Sequence, residues 1–264
     1  MQIEAKTRIP LLLSLTLAML LIVTPNALSQ TGLSQPVPSP DEQTLLKLAN
    51  QFRAQHNIPP LQWDSSLARA ARAHLQWVIR DPSELLHQYP GEPDLATRGA
   101  TAGARFGTIS ENIAGHGDSV AALHQAWITS PPHRANLLDP NLNVIGIAVA
   151  ETQGLLFAVA DFGRYVPALT PEAIEHQVAK LLQAQGIPSA PSNEDARKTC
   201  SMAQGQAGTP RLVIQWDSPD ISHLPDTLLH ELQKTRYASA AVGACPGEQS
   251  DQHFTTYHIA VLLY

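Results

Sequence analysis

Two neighbouring apolar segments constrain the fold of this chain more than any other feature. Residues 144–150 and 155–162 are apolar almost throughout, and Gly154 lies in the short connection between them. Segments of this length joined by a short glycine-containing turn predict a β-hairpin. Strands that are apolar at consecutive positions are covered on both faces. We therefore expect a small sheet packed between helices, which is an α/β arrangement.

Three amphipathic helices are predicted before this hairpin. The first begins at Ser39-Pro40, where Glu42 completes a capping box. Asp64 caps the second helix. The third helix covers about residues 119–129, and Ser130-Pro131-Pro132 is expected to break it and to present His133 at a turn fixed by proline. The segment between the second and third helices, residues 83–110, has few apolar anchors. We expect it to be a long loop, and such loops inside compact domains are often functional.

The N-terminus predicts export. Basic residues precede an apolar run over residues 9–23, and the small-residue segment Ala27-Leu28-Ser29 follows it. The run is shorter than the ~20 residues that a membrane-spanning helix needs. We therefore favour a cleaved signal peptide over residues 1–29 rather than an uncleaved anchor. The mature chain is expected to be periplasmic or extracellular with no stable membrane span, and residues 30–40 to be a disordered lead-in.

Length, charge and cysteine content indicate the number of domains, the classes of partner and the presence of a disulfide. The chain has 264 residues, which fits two domains, expected at residues 41–166 and 167–264. A net charge of −6 excludes nucleic acid and anionic lipid as electrostatic partners. The two cysteines, Cys200 and Cys245, predict one disulfide in an exported chain.

The second domain is predicted to be a smaller α+β unit without a motif that assigns a function. Its last strand is expected to place Tyr257, Ile259, Val261 and Leu263 on one face. The other predicted elements are a helix from Thr170, a short helix that holds Cys200, a strand at residues 212–216, a helix at residues 226–234 and a strand at residues 237–243.

Complete catalytic motifs are absent from the sequence. There is no Gly-x-Ser-x-Gly elbow and no phosphate-binding loop. His230-Glu231 does not make a zinc-protease helix, because Lys234 stands where the second histidine would be. Asp161-Phe162-Gly163 matches a kinase triplet by letters alone and is interpreted as a chance match.

Several short motifs occur together in an order that resembles the CAP superfamily, also called SCP-like, in its bacterial branch. The matching elements are Leu61-x-Trp63-Asp64-x-x-Leu67-x-x-Ala70, Leu86-His87, Ser110-Glu111-Asn112-Ile113, Trp127-x-x-Ser130-Pro131-x-His133-Arg134-x-Asn136 and Ile145-Gly146-Ile147. The resemblance implies an α-β-α sandwich of CAP type over residues 41–166.

The resemblance also implies a cleft, which we expect to include His87, Glu111, Ser130, His133 and Asn136. Family members often have two histidines and two acidic residues there, and Ser130 occupies the position of the second acid. His87, Glu111 and His133 are a candidate set of ligands for a divalent metal such as zinc, with an open fourth position. The alternative is that Glu111 serves only to hold the loop to the helix.

Other polar residues near these motifs receive simpler interpretations. His74 competes with His87 for the cleft, but it lies on the apolar face of a helix and is interpreted as a core histidine. His116 and His124 are expected at the surface. Arg134 is expected to pair with a carboxylate, and Asn136 to hydrogen-bond the loop backbone.

Two classes of function follow. The first is a non-enzymatic module that binds an apolar small molecule, a cell-envelope component or a protein partner, as the resemblance implies. The second is a metal-assisted hydrolase with Glu111 as its base. Because no catalytic motif is complete, the binding module is favoured.

Overall fold

A computed structural model describes residues 37–245 and 253–264 of the chain. The predicted signal peptide, residues 1–29, lies outside the described residues, as does the predicted lead-in up to residue 36. All described residues belong to one compact unit. Within these ranges, no helix is both long enough and apolar enough to cross a membrane.

The first sheet has four strands in the order β1-β3-β4-β2. They are β1 (Gln62–Trp63), β2 (Phe106–Gly117), β3 (Val144–Thr152) and β4 (Leu155–Tyr165). Strands β3 and β4 form the predicted antiparallel hairpin, with β2 antiparallel to β4 and β1 parallel to β3. Gln153 and Gly154 adopt positive φ angles in the hairpin turn, a conformation that glycine adopts without steric cost.

Five helices accompany this sheet: α1 (Pro40–Gln55), α2 (Ser65–Val78), α3 (Leu95–Thr101), α4 (Val120–Thr129) and α5 (Pro131–Leu138). Helices α1, α4 and α5 pack on the face that carries Ile145 and Ile147. Helix α2 packs on the opposite face, against Ala148 and Val159. The alternation of side chains along the strands explains this division. The predicted α-β-α sandwich is confirmed.

Local signals set the positions of the helices. The capping box between Ser39 and Glu42 is present, and the Asp64 carboxylate accepts hydrogen bonds at the start of α2. Helix α2 crosses β3 at Gly146, where a Cβ atom would lie 1.9 Å from the backbone nitrogen of Ala68. This glycine therefore permits the close approach that brings α2 onto the sheet beside the candidate cleft.

Two predictions about this domain were wrong in part. Residues 83–110 are not one loop, because they contain α3 and the start of β2. Asp94 caps α3 by accepting from the Thr97 N–H at 2.7 Å. The prolines after Ser130 do not hold an irregular turn, since they begin α5. Proline is well suited to the first helical positions, where a backbone N–H has no partner.

The C-terminal part is α+β, as predicted. Its sheet has the antiparallel order β5-β7-β6. Helices α6 and α8 pack on the face formed by the predicted alternating residues Tyr257, Ile259, Val261 and Leu263, and α7 packs on the other face. The elements are α6 (Pro171–Ala184), α7 (Glu194–Cys200), β5 (Leu212–Ser218), α8 (Asp226–Lys234), β6 (Ala240–Cys245) and β7 (Tyr257–Leu263).

Direct contacts connect the region of the first sheet to the C-terminal part of the chain. The Thr255 N–H donates to the Phe106 carbonyl at 2.8 Å, and Arg164 pairs with Asp220 at 2.7 Å. The Tyr257 hydroxyl donates to the Pro167 carbonyl at 2.8 Å. The predicted division into domains at residues 166 and 167 stays a prediction, which limited proteolysis would test.

Candidate functional site

Glu111 is the centre of the candidate site. Strand β2 places its side chain in the interior, where it is 2% exposed. Its Oε1 atom lies 2.7 Å from Nδ1 of His87, and its Oε2 atom accepts from Nη2 of Arg98 at 2.6 Å. His87 is open to solvent, with 60% of its side chain exposed. The buried carboxylate of Glu111 thus forms a hydrogen bond with the exposed side chain of His87 from the interior of the domain.

A second layer of ionisable groups supports Glu111. His74 is fully buried, and its Nδ1 atom lies 2.7 Å from Oε1 of Glu92. Its Nε2 atom lies 3.7 Å from Oε1 of Glu111. Arg98 also lies between the two carboxylates, with Nη1 at 3.6 Å from Glu92. Buried charges need such partners, because desolvation of an unpaired charge is costly. The interpretation of His74 as a core histidine is confirmed.

Asp161 faces Glu111 from the neighbouring strand. The two residues are directly opposite in the pairing of β2 with β4. Asp161 is completely buried, and neither of its carboxyl oxygens has a hydrogen-bond partner among the described residues. Burial, together with the negative charge of Glu111, raises the pKa of Asp161 well above its ordinary value. Asp161 therefore holds its proton more tightly than an ordinary aspartate, beside a carboxylate that is paired with Arg98.

Amide side chains connect α5 to β2 and so position His133. Nδ2 of Asn112 donates to the His133 carbonyl at 2.9 Å. Nδ2 of Asn136 donates to the Glu111 carbonyl at 3.2 Å and to Oδ1 of Asn112 at 2.9 Å. The predicted bond from Asn136 to the backbone is confirmed, and its acceptor belongs to strand β2. The hydrogen bond to the His133 carbonyl fixes the backbone position of this residue, from which its ring extends.

The two cleft histidines have opposite pKa shifts. Their ring centroids lie 6.3 Å apart. The hydrogen bond to Glu111 raises the pKa of His87. Burial lowers the pKa of His133, and the nearby His87 adds to this effect. His87 therefore binds a proton more readily than an ordinary histidine, and His133 binds one less readily.

Ser130 lies between α4 and α5 as the N-cap residue of α5, but its side chain makes no capping hydrogen bond. It is partly exposed. Its membership of the cleft stays a prediction.

The predicted metal ligands do not form a ready-made site. Within residues 37–245 and 253–264, His87, Glu111 and His133 do not bring one ligand atom each within 4.8 Å of one another. Both oxygens of Glu111 are already engaged, one of them by a guanidinium that repels a metal cation. These residues therefore do not fit a three-ligand metal centre as arranged, and metal binding at the cleft stays a prediction.

Three residues of the site were missed from the sequence: Arg98, Glu92 and Asp161. Arg98 and Glu92 fall in the segment that was predicted to be a loop. Asp161 carried a usable signal, because an acidic residue within an apolar strand is rarely tolerated without a role.

Two other predictions near the site were wrong. His124 is 8% exposed rather than at the surface, and burial lowers its pKa. Arg134 makes no ion pair with a carboxylate among the described residues. Its guanidinium instead lies 5.8 Å from the ring centroid of Phe52. His116 is exposed, as predicted.

Comparison with known proteins assigns the domain that holds this site. Residues 46–162 match the CAP family, described as the cysteine-rich secretory protein family. Residues 46–162 are therefore similar to a CAP domain, and the part of the chain that holds them is called the CAP domain below. Both Glu111 and His133 lie within the matched residues, as do all the ionisable groups of the second layer.

Two curated relatives of the CAP domain come from Bacillus subtilis. The uncharacterized protein YkwD is 32% identical over 111 residues, which cover 42% of this chain and 43% of the relative. The uncharacterized membrane protein YlbC is 26% identical over 129 residues, which cover 48% of this chain and 36% of the relative. This chain therefore spans less than half the length of the curated relatives it matches.

Among solved structures, the CAP domain is similar to an extracellular protein containing an SCP domain from Bacillus anthracis. The two are 28% identical with a TM-score of 0.43, and the match covers 49% of this chain and 45% of the other.

Proposed function

We propose that this chain is an exported binding protein. In this proposal its CAP domain captures a small molecule that has an apolar body and a head group that accepts hydrogen bonds. The observation that carries the proposal is that Glu111 is engaged on both oxygens while His87 is left exposed. The carboxylate then works as an anchor that orients and charges His87, and His87 is the group that meets the ligand.

The occupied carboxylate argues against hydrolysis. A general base must reach a water or a nucleophile, but Glu111 is buried and paired with Arg98. Asp161 is completely buried. The pKa of His133 is lowered by burial, but the side chain of Ser130, the residue before α5, makes no capping hydrogen bond and is not seen bonded to the His133 ring among the described residues. The cleft therefore has donors for a ligand but no assembled base and nucleophile.

The surroundings of His87 indicate the class of ligand. Leu85 and Leu86 directly precede it, and each is 37% exposed. Exposed leucines beside a polar group are typical of a site that binds an apolar body and orients it by a few polar contacts. A protonated His87 donates to a carboxylate or another acceptor oxygen. A long-chain fatty acid combines both features and is the probe we choose.

Export is supported by a second observation. Cys200 and Cys245 form a disulfide, and disulfides persist mainly in oxidising compartments outside the cytosol. This agrees with the signal peptide predicted for residues 1–29. Fractionation of expressing cells, with N-terminal sequencing of the mature protein, tests this part of the proposal.

Binding of a fluorescent long-chain fatty acid tests the cleft. We expect His87→Ala to weaken binding about tenfold or more, because it removes a charge-assisted hydrogen bond. The matched control is His176→Ala, which changes an exposed histidine on α6 and is expected to leave binding unchanged. The wild type is expected to bind a long-chain alcohol more weakly than the fatty acid. His87→Ala is expected to bind the alcohol and the acid with equal affinity.

Two results would contradict the proposal. Equal affinity in the wild type and His87→Ala would remove His87 from the binding site. Turnover of a fatty-acid ester by the wild type, abolished by His133→Ala in a folded protein, would instead support the hydrolase.

A further inference from the structure

One set of directly paired residues in the C-terminal sheet contains three groups that are relevant to metal binding. We call this set, Asp217, His258 and Cys245, the rung. His258, on the central strand β7, lies directly opposite Asp217 on β5 and opposite Cys245 on β6. Cross-strand partners on one face are close enough for their side chains to interact. The rung therefore places a carboxylate, an imidazole and a sulfur side by side on the face that α7 covers.

Helix α7 brings the second sulfur to the same place. It packs so closely on β6 that a Cβ atom at Gly243 would lie 2.2 Å from the backbone carbon of Ala196. Cys200, at the end of this helix, is thereby held over the rung and bonded to Cys245. The Cα atoms of the two cysteines are 5.9 Å apart.

The three donor groups lie close together. Cys200, Cys245 and His258 each offer one ligand atom within 4.8 Å of the others. Nδ1 of His258 is hydrogen-bonded to Oδ1 of Asp217, which leaves Nε2 available. Histidines that bind metals usually make such a bond from their other ring nitrogen, because it fixes the tautomer and the ring orientation.

Among the residues that the structure describes, the site is also accessible. A cavity of about 560 Å³ is lined by both cysteines, His258 and Asp217. Cys200 itself is 3% exposed, while 28% of the His258 side chain is exposed. An ion can therefore reach the rung from the cavity, and a water molecule from the cavity can complete its coordination.

We propose that the reduced form of this chain binds one zinc ion through the thiolates of Cys200 and Cys245 and through Nε2 of His258, and that disulfide formation releases it. Two thiolates and one imidazole suit zinc, and the fourth position of the tetrahedron stays open to water. Asp217 is a positioning residue for His258. This site is separate from the cleft and does not depend on the proposed function.

The exchange between the two forms is balanced. A two-electron reductant of the thiol or phosphine class breaks the Sγ–Sγ bond, and two protons are taken up to give two thiols. Zinc then displaces both thiol protons, since only the thiolate is a strong ligand. In the reverse direction the disulfide of an oxidoreductase accepts two electrons from the two thiolates. The Sγ–Sγ bond then re-forms, and zinc leaves.

Titration of the full chain with Co²⁺ and Zn²⁺ tests this proposal. The chain is reduced anaerobically with a phosphine, and Co²⁺ binding is followed by the absorption of cobalt–thiolate bonds. We expect one ion per reduced chain, displaced by one equivalent of Zn²⁺, and no such binding by the oxidised chain. His258→Ala should weaken binding at least tenfold, and Asp217→Asn about tenfold. His176→Ala should have no effect.

Three outcomes would overturn the proposal: no stoichiometric binding by the reduced chain, equal affinity in His258→Ala, or equal binding by the oxidised chain. Circular dichroism of every sample guards against unfolding. If reduction alone unfolds the C-terminal part, zinc is expected to restore its signal in the wild type and not in His258→Ala. Failure of zinc to restore it would also overturn the proposal.

Discussion

Glu111 and Asp161 lie opposite each other on neighbouring strands of the sheet and have different surroundings. Glu111 is hydrogen-bonded to Arg98 and to His87. Asp161 has no hydrogen-bond partner among the described residues, and burial beside Glu111 raises its pKa. One carboxyl group thus anchors His87, while the other is a buried core residue with a raised pKa.

Replacing Asp161 by Asn should change how stability depends on pH. The pKa of Asp161 is raised in the folded chain, so the folded state holds a proton that the unfolded state has released. The free energy of unfolding of the wild type therefore falls as the pH rises from the pKa of Asp161 in the unfolded chain toward its pKa in the folded chain. The fall is at most ~1.4 kcal/mol per pH unit. Asp161→Asn lacks this loss. Its advantage over the wild type in urea unfolding should grow as the pH rises above about 4, the usual pKa of an aspartate in an unfolded chain. A constant difference would contradict a raised pKa.

Replacing Glu111 by Gln should lower the pKa of His87. The substitution removes the charged acceptor that raises this pKa above 6.5. NMR titration of the ring protons measures the change, with the exposed Glu151→Gln as a control that should leave His87 unaffected. The stabilisation from the His87–Glu111 pair is present at low pH and is lost as pH rises through the raised pKa. An unchanged pKa in Glu111→Gln would show that another group sets the charge of His87.

Replacing Arg98 by Met should destabilise the CAP domain strongly. The change leaves Glu111 and Glu92 buried without their shared cation, and loss of one partner of a buried pair costs about 3–5 kcal/mol. The double variant Arg98→Met/Glu111→Gln should recover part of this loss. Lys198→Met removes an exposed ion pair and should change the free energy of unfolding far less. Equal effects of the two single changes would contradict the assigned role of Arg98.

Replacing Gly146 by Ala should separate α2 from the sheet. The new methyl group would meet the backbone of Ala68, and backbone cannot rotate away as a side chain can. We expect a loss of about 3 kcal/mol in the free energy of unfolding. Gly163→Ala is the matched control on β4, because its nearest neighbours are side-chain methyl groups at 3.3 Å. A loss of about 1 kcal/mol or less is expected there.

Local signals predicted most of the fold. The hairpin of β3 and β4 and the capping residues Ser39 and Asp64 depend on a few neighbouring residues, so the sequence shows them directly. Helix α3 was missed because its 7 residues are too few to show a clear period in a window of about 11 or more. The prolines before His133 were interpreted as a break, although proline also begins helices.

The candidate site was predicted less completely, since its chemistry depends on contacts between distant segments. The resemblance supplied His87, Glu111 and His133, and the structure places His87 and Glu111 in contact. It could not supply Arg98, whose role depends on the meeting of α3 with β2. The raised pKa of Asp161 likewise follows from its burial, which a single sequence indicates only through an acid in an apolar strand.

The most direct test of the central claim is NMR titration of the His87 and His133 rings with a long-chain fatty acid. We predict that the His87 signals shift and saturate at one equivalent, and that the pKa of His87 rises further because a second carboxylate approaches it. Binding of the fatty acid with no change in the signals or the pKa of His87 would contradict the account.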